Sequence, residues 1–285
     1  MSTHGSSRSP FTLSAWLNGA WQVLCTAGVC VAMATASTHA GAVASDVQVA
    51  SDVQVAVAAN VSAPMQKIAA AFTQDTGHRT RLAMGATGKL HAQIQNGAPF
   101  DVLLAADDKT PLQLENEKRA VTGTRFTYAI GRLALWSAQP HLIDAQGDVL
   151  HRLPLEQPQA RLAIANPRLA PYGAAAMQVL TRLHVRPLWQ DKLVQGDSIA
   201  QTWQFVASGN AALGLVAVSQ IMHDGQLTHG SVWWVPERLH DSLRQDAVLL
   251  MHGKDKVAAR AFLDYLRSDK AREVLRRYGY SFATP

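Results

Sequence analysis

Two hydrophobic periods alternate along the chain from about residue 52 onward. In VQVAVAAN the valines at 53, 55 and 57 recur every second residue and predict a strand. SAPMQKIAAAFTQDTG follows with Met65, Ile68, Ala69 and Phe72 on one helical face, which predicts a helix with Ser62 as its N-cap and Gly77 as its stop. HRTRLAM predicts a second extended run that turns at GATG into a short helix, KLHAQIQN, stopped by Gly97. FDVLLAA is a near-continuous apolar strand, and Asp107 or Asp108 is placed to cap a helix in DKTPLQLENEKR. RFTYAIGRLALWS is β-rich and longer than one strand needs. In the second half RLAIANP leads through APYG into the helical AAAMQVLTRL, and KLVQGD leads into SIAQTWQFVASG. AALGLVAVSQI and SVWWVPE add strands, and the end reads as two helices broken near Ser268 and Asp269. Strands alternating with helices predict an α/β fold with parallel sheets covered on both faces.

The first 44 residues depart from this pattern. They contain one basic residue, Arg8, no carboxylate, and an apolar run that ends in the small-residue sites Thr38-His39-Ala40 and Ala42-Val43-Ala44. That is the pattern of a cleavable signal peptide over residues 1–44. A permanent membrane anchor is the alternative, since the apolar run approaches the length that spans a bilayer. Both cysteines, Cys25 and Cys30, lie in this leader, so the mature chain has no thiol for a disulfide, a metal or a nucleophile. Next comes a tandem duplication in which Ala44–Val49 recurs as Ala50–Val55; the second copy supplies the first strand, and the first copy predicts an extended or disordered tail.

The chain is long enough, at 285 residues, for one large or two medium domains, and its 48% hydrophobic and 16% charged content is that of a globular protein. Of 26 lysines and arginines, 25 remain without Arg8, against 21 acidic residues, a net charge of +4. The basic residues cluster in KAREVLRRYGY but are interleaved with acids, which favours a solvated helix face over nucleic-acid binding.

The recurring chemical feature is an apolar strand that stops at a small or hydroxyl-bearing turn and restarts as a helix. This happens at Asn60-Val61-Ser62, Ala86-Thr87-Gly88, Pro171-Tyr172-Gly173 and Asp197-Ser198-Ile199. Helix N-termini carry unpaired N–H groups and a partial positive charge, so four such turns brought together would bind an anion. Spacing alone favours the reading that these are simply capped helix starts, which any α/β protein has. MGATGKL suggests a nucleotide phosphate loop, but that motif needs glycine where Ala83 stands and serine or threonine where Leu90 stands. No G-x-S-x-G or H-E-x-x-H occurs, and His223 and His229 fall in a polar turn. The turns offer neutral donors, and an all-donor pocket disfavours anions that carry a proton.

VAVAANVSAPMQKIAAAF, GATGKLHAQIQNGAPFDVLLAADD, RFTYAIGRLALWS, LAIANPRLAPYGAAAMQVL, SIAQTWQFVASGNAALGLVA and AFLDYLRSDKAREVLRRYGY together resemble the periplasmic molybdate-binding proteins, the ModA-type receptors of ABC importers, from about Val53 to Tyr280. The resemblance implies a two-lobed type II periplasmic-binding-protein fold, each lobe a mostly parallel sheet flanked by helices, with two hinge-crossing strands. The lobes would be residues 45–130 plus 236–285, and 131–235, with crossings along RFTYAIGRLALWS and near SVWWVPE. It also implies a periplasmic, non-enzymatic monomer without a cofactor, holding molybdate or tungstate in the cleft and serving an ABC permease in the inner membrane. The anion-binding positions carry over to Asn60, with Val61 and Ser62 beside it, to Ala86 and Thr87, to Tyr172, and to the N–H of Ile199. Asn60 would donate through its amide, and Lys89 would face solvent. A tyrosine that other members use falls near Ala217 and is missing; Tyr172 would replace it. The alternatives are a receptor for another tetrahedral oxyanion such as sulfate, or a secreted hydrolase using the same cleft.

Overall fold

The computed structural model describes residues 51–282, so the leader and the first copy of the duplication lie outside the described residues. The second copy enters β1 (Asp52–Ala58), whose Val53, Val55 and Val57 are fully buried on one face while Ala56 is buried on the other. A short 3-10 turn (Ala59–Val61) leads into α1 (Ser62–Thr76), which ends on Gly77 at φ 75°, the left-handed conformation that glycine adopts without steric cost. Then come β2 (Arg79–Gly85), α2 (Thr87–Gln95), β3 (Val102–Leu104) and α3 (Lys109–Asn116). The long β-rich run is two strands, β4 (Phe126–Gly131) and β5 (Leu133–Ser137), separated by Arg132.

After β5 the chain builds α4 (Val149–Glu156), β6 (Leu162–Ala165), α5 (Pro171–Arg182), α6 (Arg186–Trp189), β7 (Leu193–Gly196), α7 (Ile199–Ala207) and β8 (Leu213–Ala217). A short helix α8 (Val218–Ile221) and a small hairpin of β9 (Met222–His223) and β10 (Gln226–Leu227) precede β11 (Ser231–Trp234). β12 (Leu243–Leu249), α9 (Val257–Leu266) and α10 (Asp269–Arg277) complete the order. α9 and α10 break where Ser268 caps α10 by accepting from the N–H of Ala271.

The strands form two five-stranded sheets, β2-β1-β3-β12-β4 and β11-β5-β8-β6-β7, one to a lobe. Each is evenly mixed rather than mostly parallel. β2-β1-β3 and β7-β6-β8 are parallel, whereas β12 runs antiparallel to β3 and β4, and β5 antiparallel to β8 and β11. The cause is connectivity, because a strand that arrives from the other sheet need not enter by a right-handed crossover. The two passages between sheets run side by side, with Gly131 opposite Leu243 in the first sheet and Ala134 opposite Trp234 in the second.

Both faces of each sheet are covered. In the first, Val55, Val102 and Ala247 pack with Ile68, Phe72 and Phe262, while the alternate positions Ala56, Leu103 and Val248 pack with Leu90, Ile94 and Leu114. In the second, Leu135, Ile164 and Leu215 pack with Val179, Leu180 and Trp189, and Trp136, Ala163 and Val216 pack with Val206. Each fully buried large side chain contributes about 1.5–3 kcal/mol. This burial makes the strand ends rigid supports for the turns that follow them.

Candidate functional site

Four of those turns meet between the sheets. β1 delivers the Ala59–Val61 turn, β2 delivers Ala86 and Thr87, β6 delivers Ala170, Pro171 and Tyr172, and β7 delivers Ile199. Together with Ala58, Gly85 and Ala106 they line one cavity of about 10 Å³. That is about the space of one ordered water, and the walls belong to both sheets. No lining residue is charged. The starts of α2, α5 and α7, whose first N–H groups have no intrahelical acceptor, bring partial positive charge to the cavity.

The sequence explains why these helices begin where they do. Pro171 occupies the first position of α5, where a missing N–H costs nothing. Ser198 caps α7, its hydroxyl accepting from Gln201 N at 3.4 Å, which leaves the N–H of Ile199 for a ligand. Gly173 lets α5 start against β6, since a Cβ there would lie 2.2 Å from the Ala165 carbonyl oxygen. Gly88 does the same between lobes: its N–H donates to the Leu169 carbonyl at 2.8 Å, and a Cβ would meet that oxygen at 3.1 Å.

Two hydroxyl-bearing side chains, Thr87 and Tyr172, are among the lining residues. Thr87 Oγ1 accepts from Ala106 N at 3.0 Å, so its own hydrogen remains to be donated elsewhere. Tyr172 is 1% exposed, and its hydroxyl lies beside Asn60 and Tyr280 without a hydrogen bond of ordinary geometry to either. Burial, reinforced by Tyr280 and Tyr128, pushes its pKa well above the usual phenol value. A raised value keeps the proton on as pH rises through the ordinary tyrosine range, so Tyr172 stays a donor there.

A larger cleft of about 500 Å³ adjoins the small cavity and shares Ala106, Ala170 and Pro171 with it. Its walls carry Asp107, Asp108 and Asp241 opposite Lys109, Arg168 and Arg244. The cleft therefore carries charges of both signs, unlike the smaller cavity. Burial raises the Asp107 carboxyl, and Asp107, rather than Asp108, caps α3 by accepting from Thr110 N at 2.6 Å.

The chain matches the profile of the bacterial extracellular solute-binding proteins over residues 53–281. It is 55% identical over 250 residues to the molybdate-binding protein ModA of Azotobacter vinelandii, an alignment covering 88% of this chain and 95% of that protein. With the Rhodobacter capsulatus molybdate-binding protein ModA the identity is 46%, covering 79% and 86%. The solved Azotobacter vinelandii periplasmic molybdate-binding protein superposes with a TM-score of 0.77 at 37% identity, over 81% of this chain and all of that one. The protein is a bacterial extracellular solute-binding protein of the ModA family.

Of the positions that the ModA resemblance carried over, the fold brings Asn60, Ala86, Thr87, Tyr172 and Ile199 to one cavity. Val61 and Ser62 are not among its lining. Val61 is fully buried in the core of the first sheet, and Ser62 is the first residue of α1 rather than its cap, its hydroxyl donating to the Ala59 carbonyl at 2.8 Å. The amide of Asn60 is not a free donor either, since its Nδ2 donates to Gln245 Oε1 and to the Tyr280 hydroxyl, each at 2.8 Å. Lys89 is exposed, as expected, and pairs with Asp197 at 2.7 Å. Both partners are about half exposed or more, so the pair contributes less than about 1 kcal/mol. Ala217 is buried outside the cavity, its N–H held by Gln220 Oε1 at 3.0 Å. Sequence reasoning missed Gln245, Ser219 and Tyr280 behind Asn60. The available signal was Gln245, a polar residue in a strand covered on both faces.

Proposed function

We propose that this ModA-family protein captures molybdate, with tungstate nearly equivalent, in the cavity between its lobes and delivers it to an ABC permease. The supporting observation is the convergence of three helix starts and one 3-10 turn on a single cavity whose lining has no charged side chain. A tetrahedral dianion suits such a site, because each charge-assisted hydrogen bond contributes about 1.5–3 kcal/mol and the helix ends add to it. A pocket made of donors also leaves the proton of a protonated anion without an acceptor. The protein is a solute-binding component of transport and not an enzyme, and we place it in the periplasm as a monomer. Among the described residues no helix is long and apolar enough to cross a membrane.

The reading extends to motion. Of the described residues, those up to 130 with those from 236 onward would form one lobe and 131–235 the other, with the paired passages at Gly131 and Leu243 as the hinge. Anion binding closes the lobes through contacts such as Gly88 to Leu169 and Lys89 to Asp197. Titration calorimetry with molybdate, tungstate and sulfate at equal concentration tests the ligand. Tight sulfate binding without molybdate binding would overturn the assignment. Tyr172→Phe removes the buried hydroxyl and is expected to weaken molybdate binding by about tenfold, the loss of one such bond. An unchanged Kd would take Tyr172 out of the site.

A further inference from the structure

Asn60 is gripped from three directions. Its Nδ2 donates to Gln245 Oε1 and to the Tyr280 hydroxyl. Its carbonyl accepts from Ser219 Oγ at 2.6 Å and from the Tyr280 hydroxyl at 3.1 Å. Tyr280 and Ser219 are themselves 3.2 Å apart. All four residues are buried, and they come from distant parts of the chain. Ser219 lies on α8 beyond the second sheet, and Gln245 is in β12 next to the returning passage. Tyr280 is in the segment after α10, which is tied to β4 by paired Ile130–Ser281 backbone bonds of 2.7 and 3.0 Å. Each of these donors has an acceptor, whereas Asn60 Oδ1 is buried without a hydrogen-bond partner among the described residues. Tyr280 accepts from the amide and donates to the carbonyl of the same residue, while Ser219 donates to that carbonyl's other lone pair.

Polar groups in a dry interior are costly unless satisfied, and a satisfied network there holds a single geometry. Here the network encloses Asn60, the one polar residue of the buried Ala59–Val61 turn, and Ala59 and Asn60 line the anion cavity. We propose that Tyr280, assisted by Ser219 and Gln245, is a positioning residue for anion capture. It holds the Ala59–Val61 turn in its binding geometry before the ligand arrives, so the energy of ordering that turn is not charged to binding. The inference rests on the reading of the cavity as the oxyanion site.

A double-mutant cycle on the mature protein, read as molybdate Kd by titration calorimetry, tests it. Tyr280→Phe is expected to weaken binding by about tenfold in the wild-type background and by about threefold or less beside Asn60→Ala, where the amide it holds is gone. A residue that only adds to overall stability would not produce that coupling. Tyr265→Phe, whose hydroxyl bonds Asp75 at the exposed surface, should leave Kd unchanged. If Asn60→Ala weakens binding while Tyr280→Phe leaves Kd within twofold, or if Tyr280→Phe costs the same in both backgrounds, the positioning role is wrong. If Asn60→Ala has no effect, the site reading itself fails, and this inference with it. Should Tyr280→Phe not fold, Ser219→Ala removes a bond to the same carbonyl and is expected to weaken binding in its place; no effect there counts equally against the proposal.

Discussion

Thr87→Ala is expected to weaken molybdate binding by about 10- to 100-fold, whereas Thr87→Ser stays within a few-fold of the wild type. The threonine hydroxyl is the one side-chain oxygen in the cavity already oriented by a neighbour, through the 3.0 Å bond it accepts from Ala106 N. Its hydrogen is thereby directed away from that bond, and loss of one charge-assisted donor costs about 1.5–3 kcal/mol. The substitution also strands the buried Ala106 amide, so chemical unfolding of the ligand-free protein should register a further loss of about 1–2 kcal/mol. Serine preserves both roles. A Kd for Thr87→Ala close to the wild-type value would remove the start of α2 from the binding site.

The second large effect falls on stability. Gly173→Ala places a Cβ 2.2 Å from the Ala165 oxygen, 2.7 Å from the Ala165 carbonyl carbon and 2.9 Å from the Asn166 carbonyl carbon. All three are backbone atoms, so no side chain can swing away, and α5 has to lift off β6. Helix propensity pulls the other way by about 1 kcal/mol in favour of alanine. The clash prevails, at a net cost of about 3 kcal/mol, the scale of severe overpacking. Urea unfolding should show a lower midpoint at unchanged slope, and molybdate affinity should fall as well, because the start of α5 carries Tyr172. A midpoint equal to or above the wild type would show that β6 and α5 can separate without penalty.

Local patterns were legible wherever neighbours in sequence decide the outcome. The valines of β1, the apolar stripe of α1 and the αL stop at Gly77 follow from period and glycine chemistry alone, and all three stand in the structure. The length of RFTYAIGRLALWS pointed to more than one strand, and the chain does divide there at Arg132. The five cavity residues were legible as strand-end turns because an apolar strand followed by a helix start is a pattern of sequence neighbours, and the fold brings those turns to one cavity. What failed depends on distant partners. Ser62 looks like a cap by residue type, yet the 3-10 turn before it moves the helix start and converts its hydroxyl into a donor. The amide of Asn60 was read as available because Gln245 and Tyr280, 185 and 220 residues away, leave no mark on its neighbourhood in the sequence. Lys89 faces solvent as expected, but its partner Asp197, 108 residues distant, could not be read for the same reason.

The position of β12 constrains the order in which the protein can be assembled. It lies between β3 and β4 in the first sheet, yet the whole second sheet, from Leu133 to Trp234, precedes it in the chain. As the polypeptide emerges from its N-terminus, β4 therefore has no hydrogen-bonded neighbour in its own sheet until residue 243 is available. The second sheet, by contrast, is drawn from one uninterrupted stretch. Its contacts close shorter loops, which favours its earlier formation. The turns donated by the first sheet reach their final support only afterwards, when β12 inserts and the Tyr280 segment docks on β4, so the anion cavity is among the last features of the molecule to exist.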